Sequence, residues 1–111
     1  MLKKEFRIRK GKEYREVYRK GKRVAGKYVI IFCIENRYPT KRFGIVTSKK
    51  IGGAVVRNRA KRQLREIARN MGEKVKANYD LVIVARPAIK DCVFKALEKD
   101  FLVVIKKAGL C

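Results

Sequence analysis

The chain has 111 residues, which predicts a single domain, residues 1–111, with one modest hydrophobic core. Its 31 lysines and arginines outnumber 10 aspartates and glutamates, and the formal net charge is +21. A charge of this sign and size indicates an anionic partner, either nucleic acid or a membrane surface. The membrane is the weaker candidate, because the longest apolar run, Tyr28–Ile34, is far shorter than the roughly 18–20 residues of a spanning helix.

Compartment signals at the N-terminus and among the cysteines favour the cytoplasm. The opening residues lack the apolar segment of a signal peptide, and the nearby glutamates argue against a transit peptide. Cys33, Cys92 and Cys111 are odd in number and widely spaced, with no CxxC pair. They therefore predict reduced thiols rather than a disulfide framework or a zinc site.

Hydrophobic periodicity predicts helices and strands in a mixed order. Tyr14, Val17 and Tyr18 have helical spacing, and Gly21 is a plausible helix end. A period of two in the first long strand places one set of residues on one face, Tyr28, Ile30, Phe32 and Ile34, and another set on the other, Val29, Ile31 and Cys33. The predicted elements are helix Lys12–Lys20, a short extended piece Arg23–Ala25, strand Lys27–Glu35, strand Phe43–Ser48, helix Ala54–Met71, strand Asp80–Arg86, and a final amphipathic helix that carries Ile89, Val93, Ala96, Leu97, Phe101, Val104 and Ile105.

This order, αβββαβα, predicts an α+β fold. We expect a small sheet of about four strands with three helices packed on it, in a two-layer sandwich.

The helix Ala54–Met71 has an apolar face and a basic face. At about 100° per residue, the apolar face collects Val56, Ala60, Leu64, Ile67, Ala68 and Met71. A stripe of cations at four-residue spacing runs beside it, Arg57, Lys61, Arg65 and Arg69. Asn58 and Arg62 widen this stripe, whereas Arg59 lies off to the other side.

The density of cations on this helix favours a nucleic-acid contact over a merely solvated face. Eight cations and one acid lie between Lys49 and Arg69, whereas a helix charged only for solubility usually interleaves acids. The earliest cations also oppose the helix macrodipole. A phosphate backbone would relieve both the repulsion between neighbouring cations and their unfavourable interaction with the helix dipole. Gly52 and Gly53, just before the helix, would let a phosphate approach free backbone N–H groups, although two such glycines are also common in an ordinary turn.

The chain lacks the residues of a protein nuclease. It has no histidine, the commonest general base and metal ligand. Its acids are scattered, and the pair Glu98 and Asp100 has no second cluster to complete a two-metal site. We therefore expect no catalytic residue and no metal site in this chain.

The segment Ser48–Glu66, "SKKIGGAVVRNRAKRQLRE", resembles the signature of the bacterial ribonuclease P protein subunit. Arg57-Asn58-Arg59 match the family's Arg-Asn-Arg motif, and further matches are Lys61, Arg62 and Arg65 after the motif, Arg7, Tyr14 and Tyr18 in the N-terminal region, Phe32 on the central strand, and the last strand "DLVIVARP". The chain departs from the pattern in having tyrosine at 14 and 18, where phenylalanine is common, and Gly53 in place of a polar residue.

The resemblance implies a biological role and a set of partners. Such subunits join a large catalytic RNA, and the pair removes the 5′ leader from precursor tRNA. The RNA supplies the Mg²⁺-dependent chemistry, so the protein itself is expected to bind no cofactor. The expected partners are the catalytic RNA and precursor tRNA, with no membrane and no obligate protein partner. The family's fold also implies a left-handed crossover between its parallel strands, against the usual preference.

The resemblance also implies two RNA-contact surfaces. The basic surface faces phosphates of the catalytic RNA and comprises Lys49, Lys50, Arg57, Asn58, Arg59, Lys61, Arg62, Arg65 and Arg69. The leader cleft lies between the first helix and the sheet and comprises Arg7, Arg9, Tyr14, Tyr18 and Phe32. Those three aromatics also suit an ordinary core, but stacking on aromatic rings is the usual way to hold single-stranded RNA.

A rival interpretation is a small basic ribosomal protein, or another structural RNA-binding protein, without turnover. Composition alone does not separate the two. Stimulation of leader removal by a bacterial catalytic RNA at low Mg²⁺ would do so.

Overall fold

Three helices and four strands make up residues 6–111, the part of the chain that the computed structural model describes. In chain order they are α1 (Gly11–Lys20), β1 (Lys22–Ala25), β2 (Val29–Glu35), β3 (Arg42–Val46), α2 (Ala54–Met71), β4 (Tyr79–Ala85) and α3 (Phe94–Lys107). Short 3-10 turns occupy Lys49–Ile51, Gly72–Lys74 and Pro87–Asp91. The predicted α+β class and the order of elements are confirmed.

The four strands form one mixed sheet in the order β1-β2-β4-β3. β2 is antiparallel to both β1 and β4, whereas β3 is parallel to β4. β3 and β4 are parallel and are connected through α2. This is the crossover connection that the family resemblance implies to be left-handed. The free edge of β3 gains one further parallel bridge, between Arg7 and Phe43, and the Ile8 N–H donates to the Phe43 carbonyl at 2.9 Å.

The two faces of the sheet carry different helices. Val29, Ile31 and Cys33 pack with α2 and α3 in the main core, while Val17 of α1 packs with Val82 on the opposite face. The predicted division of β2 into two faces is confirmed for residues 29–34. The sheet with α2 and α3 forms the expected two layers, and α1 adds a partial third layer.

Tyr28 is an exception to the predicted alternation. It packs against the main core instead of lying on the face of Ile30 and Phe32. The reason is that β2 begins at Val29 and not at Lys27, because residues 26–29 form a tight turn. The Asp100 carboxylate of α3 accepts the N–H groups of residues 27, 28 and 29 at 3.0, 2.8 and 3.3 Å.

Smaller shifts occur at other element ends. β3 spans Arg42–Val46 instead of Phe43–Ser48, and β4 spans Tyr79–Ala85 instead of Asp80–Arg86. The last helix was predicted to include Ile89 and Val93, and this is wrong. Pro87 opens a separate 3-10 turn that buries Ile89, and Val93 caps α3 from extended backbone with 67% of its surface exposed.

Candidate nucleic-acid interface

The start of α2 is a glycine turn without an acidic or side-chain cap. Gly52 has φ 145°, in the left-handed region, and a Cβ there would lie 3.0–3.2 Å from the Val56 side chain. The N-cap is Gly53, which makes no side-chain cap hydrogen bond, and the first turn contains no acid. The positive end of the helix dipole is therefore uncompensated by side chains, and cations follow directly after it.

The division of α2 into an apolar and a basic face agrees with the sequence pattern. Ala60, Leu64, Ile67 and Ala68 are buried, and Val56 and Met71 are half-buried. Beside them, Arg57, Lys61 and Arg65 are half-buried at the border of the core. Asn58, Arg62 and Arg69 are exposed, as are Lys49 and Lys50 in the preceding turn. The fold thus leaves a strongly basic surface along one side of α2.

Two of the predicted phosphate contacts have partners within the protein. Arg59, which lies apart from the stripe as expected, donates from Nη2 to the Cys92 carbonyl at 3.2 Å. Arg69 forms an ion pair with Glu66, and that hydrogen bond is the main reason why the pKa of Glu66 lies below its ordinary value. Within residues 6–111, Arg62 makes neither kind of contact, so substitution of Arg62 is the sharper test of the basic surface.

The three predicted cleft aromatics lie together where α1 crosses the sheet. The rings of Tyr18 and Phe32 meet edge to face, with centroids 4.9 Å apart and planes at 87°. The Tyr14 ring packs directly on β3 at Gly44. A Cβ on Gly44 would lie only 2.6 Å from that ring, so the close packing requires glycine there. Gly44, Val82 and Phe32 are cross-strand neighbours, so the aromatic rings follow one row of the sheet.

The tyrosines of this cleft are partly buried and not fully committed to the core. Tyr18 is 40% exposed, and Tyr14 is half-buried with its hydroxyl donating to the Ile8 carbonyl at 3.4 Å. Burial raises the pKa of both hydroxyls, so both are neutral near pH 7. Neutral rings with accessible surface are suited to stacking against bases.

The cleft and the basic surface meet at the edge of β3. A cavity of about 280 Å³ lies there, lined by Arg7, Ile8, Arg9, Tyr14, Phe43, Ile45 and Arg65. Burial, the largest influence, raises the pKa of the Tyr14 hydroxyl, and the positive charge of Arg65 on α2 partly lowers it. Arg7 and Arg57 each also have a buried Nε with no hydrogen-bond partner in the described part of the chain. Arg7 in this cavity and Arg57 at the start of α2 thus retain hydrogen-bonding capacity that the fold does not use.

Two features of this region were missed by reasoning from the sequence. Arg23 of β1 is registered opposite Phe32, so its side chain lies on the cleft face of the sheet. Tyr38, in the β2–β3 loop, lies under the guanidinium of Arg42 at 4.2 Å from the ring centroid. Strand register alone reveals Arg23. The position of one aromatic residue among three basic residues in "NRYPTKR" was an available signal for Tyr38.

Residues 6–111 contain neither a metal-ligand cluster nor a membrane-spanning helix. No three side chains among His, Cys, Asp and Glu come together there as a potential metal site. Within the same residues, no helix is both long and apolar enough to cross a bilayer.

These features define a class: small, strongly basic α+β proteins with a cationic helix and an aromatic cleft, suited to RNA. Comparison with known proteins identifies the family. A model of the family described as Ribonuclease P matches residues 2–109. The ribonuclease P protein component of Syntrophomonas wolfei is 51% identical over 110 residues, which cover 99% of this chain and 92% of that protein. The corresponding protein of Clostridium botulinum is 43% identical over 108 residues, covering 96% and 97%.

Solved structures agree with the sequence relatives. A Staphylococcus aureus RNase P protein mutant with defective mRNA degradation activity superposes with a TM-score of 0.91 at 31% identity, covering 97% of this chain and 92% of that one. The RNase P protein from Thermotoga maritima gives a TM-score of 0.84 at 26% identity, covering 91% and 96%. The chain belongs to the ribonuclease P protein family. This membership implies a subunit of an endoribonuclease of tRNA processing, with an RNA partner, and favours that interpretation over a ribosomal protein.

Proposed function

We propose that this protein binds the catalytic RNA of ribonuclease P through the basic surface of α2. We further propose that it holds the 5′ leader of precursor tRNA in the cleft between α1 and the sheet. One observation carries the proposal: Arg65 of α2 and Tyr14 of α1 line the same cavity at the edge of β3. A cationic surface and an aromatic cleft that adjoin in this way can contact two RNA segments at once.

The basic surface acts chiefly through charge. Lysines and arginines that approach phosphates release condensed counterions, which makes binding strong and salt-dependent. They also lower the repulsion between two polyanions, the catalytic RNA and the substrate. The proposed complex therefore requires less Mg²⁺ than the RNA alone.

The cleft acts chiefly through stacking. An edge-to-face ring pair leaves ring surface that is not covered by another ring, and Tyr18 and Phe32 present such a surface beside α1. Arg7 and Arg9 lie next to Tyr14 and supply positive charge for the phosphate backbone of the same RNA leader. An unpaired leader fits these contacts better than a duplex, whose bases are already stacked.

The chemical step is assigned to the RNA partner and its Mg²⁺. The chain has no histidine, and two of its carboxylates are engaged in structural contacts. Asp80 binds Arg42, and Asp100 holds the turn before β2. We also propose that the complex acts in the cytoplasm, where the buried thiols of Cys33 and Cys92 stay reduced.

The test is cleavage of precursor tRNA over a range of Mg²⁺ by protein alone, by a bacterial catalytic RNA alone, and by the two together. We expect no cleavage by nuclease-free protein, and cleavage by the mixture at lower Mg²⁺ than by the RNA. Cleavage by the protein alone would overturn the division of labour. An unchanged Mg²⁺ requirement in the mixture would overturn the proposed function as a whole.

A further inference from the structure

A second groove lies along the N-terminal segment and shares Arg7 and Arg9 with the cavity beside Tyr14. It has a volume of about 580 Å³ and is lined by Arg7, Arg9, Lys10, Glu13, Tyr38, Pro39, Thr40 and Arg42. Arg7 and Arg9 line both this groove and the cavity beside Tyr14, so the two sites adjoin. Tyr38 is 47% exposed, the most exposed of the aromatic side chains noted above.

The Tyr38 ring is held by a guanidinium that is itself held on two sides. Arg42 lies over the ring at 4.2 Å from its centroid. It donates to Asp80 from Nε at 2.9 Å and from Nη2 at 2.7 Å, and it pairs with Glu13 from Nη1 at 2.8 Å. These hydrogen bonds, the one to Asp80 first, raise the pKa of Arg42 and keep it charged. One face of the ring is therefore covered by a permanent, fixed cation.

The backbone of the loop is fixed as well. The Asn36 Oδ1 accepts the Tyr38 N–H at 3.0 Å, and the Asn36 Nδ2 donates to the Thr40 carbonyl at 3.2 Å and to Asp80 Oδ1 at 2.7 Å. The same buried carboxylate thus anchors both Arg42 and Asn36. Because the loop is tied at both positions, the exposed ring presents its other face at a defined place.

Charge complementarity indicates what this ring can hold. Among the residues that the structure describes, Glu13 is the one carboxylate lining the groove, and it is paired with Arg42, so Arg7, Arg9 and Lys10 leave this lining positive. A cation on one face of an aromatic ring leaves the opposite face available for a second planar partner. An unpaired nucleotide supplies both a planar base for the ring and a phosphate for the neighbouring cations.

We propose that Tyr38, backed by Arg42, is a second site for an unpaired nucleotide, separate from the cleft of Tyr14, Tyr18 and Phe32. This inference rests on the proposed function in that the partner is RNA. The nucleotide belongs either to the leader, as the strand continues past Arg7 and Arg9, or to the catalytic RNA. The recognition chemistry is the same in both cases, and substrates with and without a leader distinguish the two sources.

A fluorescent reporter tests contact directly, because the chain contains no tryptophan. Tyr38→Trp keeps a stacking surface and adds a single emitter. Val103→Trp, at a position on α3 that is 43% exposed, is the matched control. With catalytic RNA or with precursor tRNA, we expect quenching of the Tyr38→Trp signal and little change for Val103→Trp. Equal responses of the two reporters, or no response from Tyr38→Trp, would overturn the proposal.

Affinity measurements identify the source of the nucleotide. Tyr38→Leu should weaken binding by roughly 5- to 150-fold, the range of one base–aromatic stack, while Tyr38→Phe should keep wild-type affinity. If the leader is the source, the deficit appears only for precursors whose leader is long enough. If the catalytic RNA is the source, the deficit appears in assembly. Wild-type affinity of Tyr38→Leu for both RNAs would overturn the inference.

The two proposals fail in different ways. If the wild-type protein stimulates leader removal and all Tyr38 variants behave like it, only the second site is wrong. If the wild-type protein does not stimulate leader removal, the proposed function is wrong, and the Tyr38→Trp reporter still shows separately whether a nucleotide binds.

Discussion

Replacement of Tyr18 by leucine separates a leader-binding cleft from an ordinary core. The ring of Tyr18 is 40% exposed and meets Phe32 edge to face at 4.9 Å. Leucine keeps most of the apolar contact with the sheet. The loss of the ring pair should therefore lower the free energy of unfolding by only about 0.5–1.5 kcal/mol.

The expected loss in substrate binding is of similar size but differs between ligands. If Tyr18 stacks on a leader base, Tyr18→Leu should cost roughly 1–3 kcal/mol in the affinity of the assembled enzyme for precursor tRNA. Mature tRNA has no leader, so its affinity should barely change. Stacking depends less on salt than phosphate contacts do, so the deficit should persist as salt rises.

The assay compares precursor and mature tRNA affinities at low and high salt, beside a thermal melt of the free protein. Tyr28→Leu is the control, because Tyr28 is a half-buried tyrosine that packs on the opposite face of the sheet. It should lower the melting temperature without discriminating between the two ligands. Equal losses for both ligands in Tyr18→Leu, together with a lowered melt, would refute the stacking role.

Three further predictions address charge and stability. If about five cations of α2 neutralise phosphates, the logarithm of affinity for the catalytic RNA should fall against the logarithm of salt with a slope of roughly −3.5 to −4.5. Arg62→Ala should flatten that slope by somewhat under one unit, and Lys106→Ala, exposed at the end of α3, should leave it unchanged. Asp100→Ala should lower the free energy of unfolding by about 2–4 kcal/mol in urea titrations, since three backbone N–H groups lose an ionised acceptor. Burial alone raises the pKa of Glu13, but hydrogen bonds from Arg42 and the nearby backbone outweigh it and the net pKa lies below 4.5. Because the folded pKa is depressed, the contribution of ionised Glu13 to the free energy of unfolding is present above pH 4.5 and is lost as pH falls through the folded pKa. Glu13→Gln should therefore lose less stability on acidification than the wild-type protein does. If the free energy of unfolding of wild type and Glu13→Gln falls identically with decreasing pH, Glu13 does not have this stabilising role.

Periodicity was sufficient for the long elements and insufficient at their ends. The bounds of α2 agree with the prediction at both ends, because a glycine precedes the apolar stripe and another follows it. The start of the last helix was predicted wrongly, because α3 begins at Phe94 and not before Ile89. Ile89 is apolar and buried, but it is buried by a proline-initiated turn, and periodicity does not distinguish a buried turn from the first turn of a helix.

Local pattern therefore determined the basic face of α2, the two faces of β2 and the α+β order, since each depends on neighbours within a few residues. Tertiary structure alone decided which surfaces meet. Arg65 approaches Tyr14 because β3 lies at the sheet edge, with α1 on one face and α2 on the other. Tyr38 stacks on Arg42 because Asp80, the cross-strand partner of Arg42 on β4, fixes the guanidinium. The pairs Arg65–Tyr14 and Arg42–Asp80 join residues tens of positions apart in the sequence, and strand pairing and packing set their geometry.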